Sequence, residues 1–264
     1  MKKLNLLLAI IIGTITFSCS TSENNDNKTE SDKLDELSIW IADNNGNLPN
    51  DFSYKYNFQY SQDALASMTE QQVYMGNLYT SEEKVIYNNN EISQIDIYEQ
   101  NVLKKSFFYN YPELNQTKIT NSGDNSYELY SLENNNLKVI KSYSNGGALS
   151  MERTMVYDMS GNVEKITETS YFGSTPTTQI FQFTYDDKNS YHKSLDLNFK
   201  LKLYDGPFHW LSNNNILTSE KYINGELTQS YNYIYRYNSN FYPIERELRD
   251  MNNKLIELTT FKYE

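Results

Sequence analysis

The sequence predicts an all-β fold, a long curved antiparallel sheet of consecutive hairpins over residues 36–264. Three observations predict it. Aromatic residues alternate with polar ones at period two, Asn- and Gly-rich turns separate the runs, and no apolar helical pattern competes with them in length. In a strand successive side chains point to opposite faces, so each aromatic row lines one face of a sheet.

The first such run is Phe52, Tyr54, Tyr56, Phe58 and Tyr60, alternating with Ser53, Lys55, Asn57 and Gln59. The next stretch, Asp63 to Gln72, reads equally well as a short helix. Further along, Phe181, Phe183 and Tyr185 alternate with Gln182 and Thr184, and Tyr231, Tyr233, Tyr235 and Tyr237 with Asn232, Ile234 and Arg236. Between the runs lie Asn88-Asn89-Asn90, Asn134-Asn135-Asn136, Asn145-Gly146-Gly147, Ser160-Gly161-Asn162, Asn224-Gly225 and Asn252-Asn253. Asn and Gly tolerate the positive φ of tight hairpin turns. The spacing between turns leaves no room for crossover helices, which excludes a parallel α/β fold.

The turns share a local pattern: an aromatic residue or Leu, a polar turn, an apolar residue, two polar residues, an apolar residue. It reads Tyr87-NNNE-Ile92-SQ-Ile95, Leu132-ENNN-Leu137-KV-Ile140 and Tyr157-DMSGN-Val163-EK-Ile166, with weaker copies at Tyr222-INGE-Leu227 and Asp250-MNNK-Leu255. Internal repetition points to a stacked architecture. Tyr157-Asp158-Met159-Ser160-Gly161-Asn162-Val163 resembles the motif of YD repeats, the β-hairpin units of RHS-type proteins. Residues 80–264 as a whole are similar to YD-repeat-like lipoproteins of Bacteroidota, through Tyr185-Asp186-Asp187-Lys188-Asn189, Pro207-Phe208 and Asn213-Asn214-Asn215-Ile216. The resemblance implies a fold, the open curved sheet, and no activity. Leu195, Leu197, Phe199, Leu201 and Leu203 alternate as a strand would. The resemblance instead implies a longer, irregular connection from His192 to Asn215, packed on the sheet as a cap.

The N-terminus reads as a targeting segment. Lys2 and Lys3 precede an apolar run from Leu4 to Phe17, followed by Ser18 and by Cys19, the sole cysteine of the chain. The run is shorter than the roughly 18 residues a spanning helix needs, and the layout is that of a signal peptide over residues 1–18. Thr16-Phe17-Ser18-Cys19 resembles a lipobox, which makes Cys19 the expected lipid attachment site. Residues 19–35 read as the lipidated cysteine and a polar, acidic tether without aromatics, unable to order itself by burying apolar surface. Ser20 in place of an aspartate, with Ser22-Glu23 and Asp26 behind it, points to the outer membrane and to the cell surface in preference to its periplasmic face.

Composition narrows the partners. The chain has 24 Tyr, 12 Phe and a formal charge of −11; loss of residues 1–18 removes two lysines and no acid, which takes the charge to −13. That balance excludes nucleic acid as a partner, because binding to it rests on Lys and Arg against phosphate. After Cys19 no cysteine remains for a disulfide or a thiolate metal site.

Catalytic and metal motifs are missing. His192 and His209 lack the spacing of a helical zinc site, and Gly147-Ala148-Leu149-Ser150-Met151 lacks the second glycine of a nucleophile elbow. Asp43-Asn44-Asn45-Gly46-Asn47 begins like an EF-hand, but its glycine comes two positions early and no Glu stands at the twelfth place. No cofactor and no metal is expected. Acid pairs such as Asp186-Asp187 and Glu245/Glu247 would suit a carboxylate-dependent glycan hydrolase only if they faced each other in a cleft. The leading reading is a non-catalytic, lipid-anchored envelope protein that binds a glycan or another envelope protein. Its candidate surface is the row Tyr231, Tyr233, Tyr235 and Tyr237 with Arg236. The alternatives are a periplasmic carrier of an apolar ligand and, behind it, the hydrolase.

Overall fold

The computed structural model describes residues 33–193, 195, 199–200 and 211–264. The expected signal peptide, Cys19 and nearly all of the tether lie outside those residues, as do Leu197, Leu201, Leu203 and His209. The described residues form sixteen strands: β1 Leu34–Ile41, β2 Tyr54–Ser61, β3 Ala64–Tyr74, β4 Asn77–Asn88, β5 Glu91–Glu99, β6 Val102–Asn110, β7 Gln116–Asn121, β8 Tyr127–Glu133, β9 Asn136–Tyr143, β10 Leu149–Tyr157, β11 Val163–Ser170, β12 Thr177–Tyr185, β13 Ile216–Ile223, β14 Glu226–Tyr237, β15 Pro243–Asp250 and β16 Leu255–Tyr263. Each pairs antiparallel with the next, and β1 pairs with β16 through Leu37 opposite Phe261 and Trp40 opposite Leu258.

The sheet is therefore a closed barrel, which corrects the open curved sheet and the YD-repeat resemblance that implied it. Closure pairs the backbone groups that an open sheet leaves at its two edges. The possible helix from Asp63 to Gln72 is also corrected. Its residues from Ala64 onward are strand β3, whose inner face carries Met68 and Glu70.

The repeated apolar–polar–polar–apolar pattern has a local physical cause. Residues three apart cannot share a face of a regular strand. They do so here because each pair straddles a β-bulge. Tyr60 pairs with Leu65 while Gln59 pairs with Ser67, leaving Ala66 as the extra residue. Ser93 is extra between Ile92 and Gln94, Lys138 between Leu137 and Val139, and Glu164 between Val163 and Lys165. Leu217, Ile244 and Asp35 hold the same place in β13, β15 and β1. Both apolar members of most pairs are buried, among them Leu65 with Met68, Ile92 with Ile95 and Val163 with Ile166. A bulge bends its strand and raises the local twist. Seven bulges at one end of the same sheet supply the curvature that brings β1 round to β16.

A tyrosine before most of these turns completes the device. Its ring packs inward, and its hydroxyl donates to a carbonyl near the start of the preceding strand: Tyr60 to Leu34 at 3.0 Å, Tyr87 to Leu65 at 3.0 Å and Tyr111 to Ile92 at 2.8 Å. Tyr157, Tyr185 and Tyr263 do the same to Leu137, Val163 and Pro243. Burial pushes the phenols of Tyr157 and Tyr185 up, and that of Tyr191 up to about 12. Such a phenol ionises more readily in the unfolded chain, at about 10. Stability is thus intact below that pH and is lost as pH rises toward the folded values. From about pH 9 to about pH 11 the expected loss is about 1.4 kcal/mol per such tyrosine. Urea unfolding at the two values checks this; equal midpoints would mean that the phenols are solvated in the native state.

The connection from β12 to β13 leaves the bulged end and folds back on it. Tyr191, His192, Leu195 and Phe199 are buried in the barrel core, with the Tyr191 ring 4.5 Å from that of Phe261. Phe199 and Lys200 are helical, which corrects the strand that the alternating leucines suggested. A polar clamp holds the returning chain. Asn162 Nδ2 donates to Asn214 Oδ1 at 3.1 Å, and Asn214 N donates to Asn162 Oδ1 at 2.9 Å. Asn215 N donates to Asp186 Oδ1 at 3.0 Å. The described residues of this plug fill the core at one end of the barrel. The chain also enters β1 at that end.

The outer wall carries several charged pairs. Glu36 bridges Lys55 at 2.6 Å and Lys262 at 2.7 Å across three strands. Arg236 forks onto Glu245, Arg249 pairs with Glu247 at 2.7 Å, and Asp96 accepts from Ser106. By register all of these face away from the core. Exposed apolar side chains, among them Ile86, Phe108, Val156 and Ile234, stand on the same outer face.

Candidate functional site

The inside of the barrel holds a cavity of 740 Å³. Strands β1 to β6 and β14 to β16 wall it, and Tyr191, His192 and Leu195 of the plug form its floor. Leu37, Ile39, Phe58, Met68, Ile97 and Phe107 make most of the wall apolar. These residues point inward because the alternation noted in the sequence places them on the core face. The volume lies within the 300–1,000 Å³ typical of small-molecule sites.

Polar groups enter the cavity in two places. On β15 and β16, Arg246 and Glu257 form a buried ion pair, and Arg246 Nη2 also donates to Thr259 Oγ1 at 3.0 Å. Burial opposes the Arg246 charge, while Glu257 and the rings of Tyr191, Tyr235 and Tyr233 beside it hold the guanidinium charged. On β3 to β5, Glu70, Glu83 and Glu99 face inward with Ser81, and Lys105 follows on β6. Tyr56 donates to Glu70 at 3.3 Å, and Gln72 Nε2 donates to the Tyr54 hydroxyl at 2.9 Å.

The candidate row on β14 divides between the two faces of the wall. Tyr233 lines the cavity, and Tyr231 and Tyr235 pack against the core beside it. Burial raises the phenols of Tyr233 and Tyr235. Tyr237 donates to Asp186 at the plugged end. Arg236 is on the outer face with Glu245, so it does not meet the tyrosines that flank it in sequence. Period two dictates that separation.

The other candidates are structural. Asp43 accepts from Asn45 N at 2.8 Å and Asn47 N at 2.9 Å, which makes the EF-hand-like start a hairpin loop. No group of His, Cys, Asp and Glu among the described residues could hold a metal ion. Asp186 accepts from Lys188 N, Asn215 N and Tyr237, whereas Asp187 is exposed beside Lys188. Glu245 and Glu247 sit on the outer wall with arginine partners. None of these acids faces a second one across the cavity. The inward acids Glu70, Glu83 and Glu99 escaped sequence reading. Each stands among many acids, and the signal that could have found them, their phase against Met68 and Ile97, depends on reading residues 63–72 as strand.

No protein-family model matches the chain, and no curated protein matches it. Solved structures do. A porin-like protein from Bacteroides uniformis superposes over 89% of this chain and 98% of its own, with a TM-score of 0.53 and 10% identity. A porin-like protein from Bacteroides vulgatus covers 88% of this chain and 99% of its own, at 11% identity and a TM-score of 0.38. The first likeness shows the fold alone. With the sixteen-strand closure, it replaces the YD-repeat assignment by a closed barrel. The name of that protein does not carry over to this one.

Proposed function

We propose that this protein is a non-catalytic envelope barrel, lipid-anchored through Cys19, that shelters a small, largely apolar molecule in its interior. The observation that carries this reading is the 740 Å³ cavity inside the barrel, with a mostly apolar wall. It favours the carrier over a module that binds a glycan or protein through its outer sheet, since the aromatic rows point inward. The plug and the clamp at one end leave the other end for entry.

The test is titration of the detergent-free protein with a fluorescent alkyl-chain probe. One probe is expected to bind per barrel. Ile97→Trp places an indole in the cavity and should weaken binding at least about tenfold, equivalent to about 1.4 kcal/mol, with the melting temperature retained. Unchanged binding in that variant would put the probe elsewhere and defeat the reading. Loss of palmitate labelling in Cys19→Ala tests the anchor separately.

A further inference from the structure

The ligand class can be narrowed from a second cavity at the rim, on the reading that the interior binds an apolar group. Beyond Ser81, which pairs with Glu99, strand β4 continues from Asn77 to Thr80 with β3 on one side only. The β3–β4 hairpin therefore overhangs the β5–β6 turn at Gln100 and Asn101. The notch between them has a volume of 1080 Å³. Glu70, Ser81 and Glu99 line both this notch and the inner cavity, so the two spaces meet at those three residues.

The two spaces differ in chemistry. Hydrocarbon dominates the inner one. The notch has the amides of Gln72, Asn77, Gln100 and Asn101 and the Tyr79 ring, 54% exposed. Amides both donate and accept, carboxylates only accept, and a tyrosine ring offers an apolar face. The notch is net acidic, with Glu70, Glu82 and Glu99 against Lys104, whose Nζ lies 3.8 Å from Glu99. An anionic headgroup would meet Glu70 and Glu99, and a quaternary ammonium would leave the amides unused. Hydroxyls, which donate and accept in the same way as the wall, match it best.

We infer that the ligand is an amphiphile whose alkyl chain fills the inner cavity and whose uncharged, sugar-like headgroup sits in the notch. The ring of Tyr79 stacks on the sugar face. Gln72 and Asn77 bond its hydroxyls, and Glu70 and Glu99 accept from the hydroxyls nearest the chain.

The experiment compares dodecyl maltoside, dodecylphosphocholine, dodecyl sulfate and free maltose as displacers of the alkyl probe from the purified protein, all below micelle formation. The maltoside is expected to bind at least about tenfold tighter than the two charged-head detergents, a difference of about 1.4 kcal/mol. Tyr79→Ala and Gln72→Ala should remove that difference and leave dodecylphosphocholine binding as it was, which also reports that the variants are folded. Equal affinity for the three detergents, a preference for either charged head, or no effect of Tyr79→Ala would overturn the headgroup assignment and leave interior binding standing. Maltose alone binding as tightly as the maltoside would overturn the amphiphile. If no dodecyl compound displaces the probe, the interior reading itself falls.

Discussion

Replacing Glu168 by leucine is expected to destabilise the barrel by about 3–5 kcal/mol, the largest effect of any single change in the wall. Arg153, Glu168 and Gln179 stand side by side on β10, β11 and β12 and face inward. Both Arg153 Nε and Gln179 Nε2 donate to the Glu168 carboxylate. The Arg153 and Glu168 side chains are only 9% and 12% exposed, so the pair has given up most of its water. Glu168→Leu leaves the guanidinium charged in the wall without its carboxylate. The double variant Arg153→Met/Glu168→Leu removes the charge with its partner and should recover more than half of the loss. Urea unfolding of the two variants at neutral pH decides it. A single-variant loss below about 1 kcal/mol would mean that Arg153 is solvated in the native barrel.

Asn162→Ala should cost about 3 kcal/mol and loosen the plug before the rest of the barrel unfolds. Asn162 is 2% exposed, and its side chain joins the β10–β11 turn to the end of the β12–β13 connection. It donates to Asp158 Oδ2 and to Asn214 Oδ1, and it accepts from Asn214 N. Truncation removes these bonds in a place that water does not reach. The site cannot be rebuilt from the next residue, because Gly161 lies at φ +82° and a methyl group there would run into the Asn213 amide. Hydrogen exchange supplies the specific readout. The Val163 amide, which donates to Ser212 Oγ at 3.0 Å, should exchange faster relative to the amides of β7 and β8. Uniform acceleration across all strands would show that Asn162 supports the whole fold and not the plug in particular.

Much of the secondary structure was legible along the chain. The rows at Phe52–Tyr60, Phe181–Tyr185 and Tyr231–Tyr237 contribute to β2, β12 and β14, and the Asn and Gly turns fall between strands. The repeated pattern around Tyr87, Leu132 and Tyr157 was legible as a pattern and misread as a repeat family. It marks a bulge at the turn, where an aromatic residue or Leu at the end of one strand faces the start of the next. Asp63 to Gln72 misled because Ala, Leu, Met, Glu and Gln suit a helix as well. That segment is a strand because both its flanks, β2 and β4, offer it hydrogen bonds.

The site was less legible for a different reason. Tyr233 could be picked out, since a row of four tyrosines stands out locally. Its companions in the cavity come from β1 to β6, from β15 and β16 and from the plug, residues up to some two hundred positions away. No local pattern ties Met68 to Tyr191 or Glu70 to Glu99.

By itself, the sequence determined the all-β class, the turns and the inward face of the aromatic rows, because each depends on side-chain period and backbone preference within about ten residues. Only the tertiary structure decided that the sheet closes, that the β12–β13 connection plugs one end, and that an apolar cavity remains at the other. Those outcomes depend on β1 meeting β16 and on the Asn162–Asn214 clamp, contacts between distant parts of the chain that form only once the accumulated curvature has brought them together.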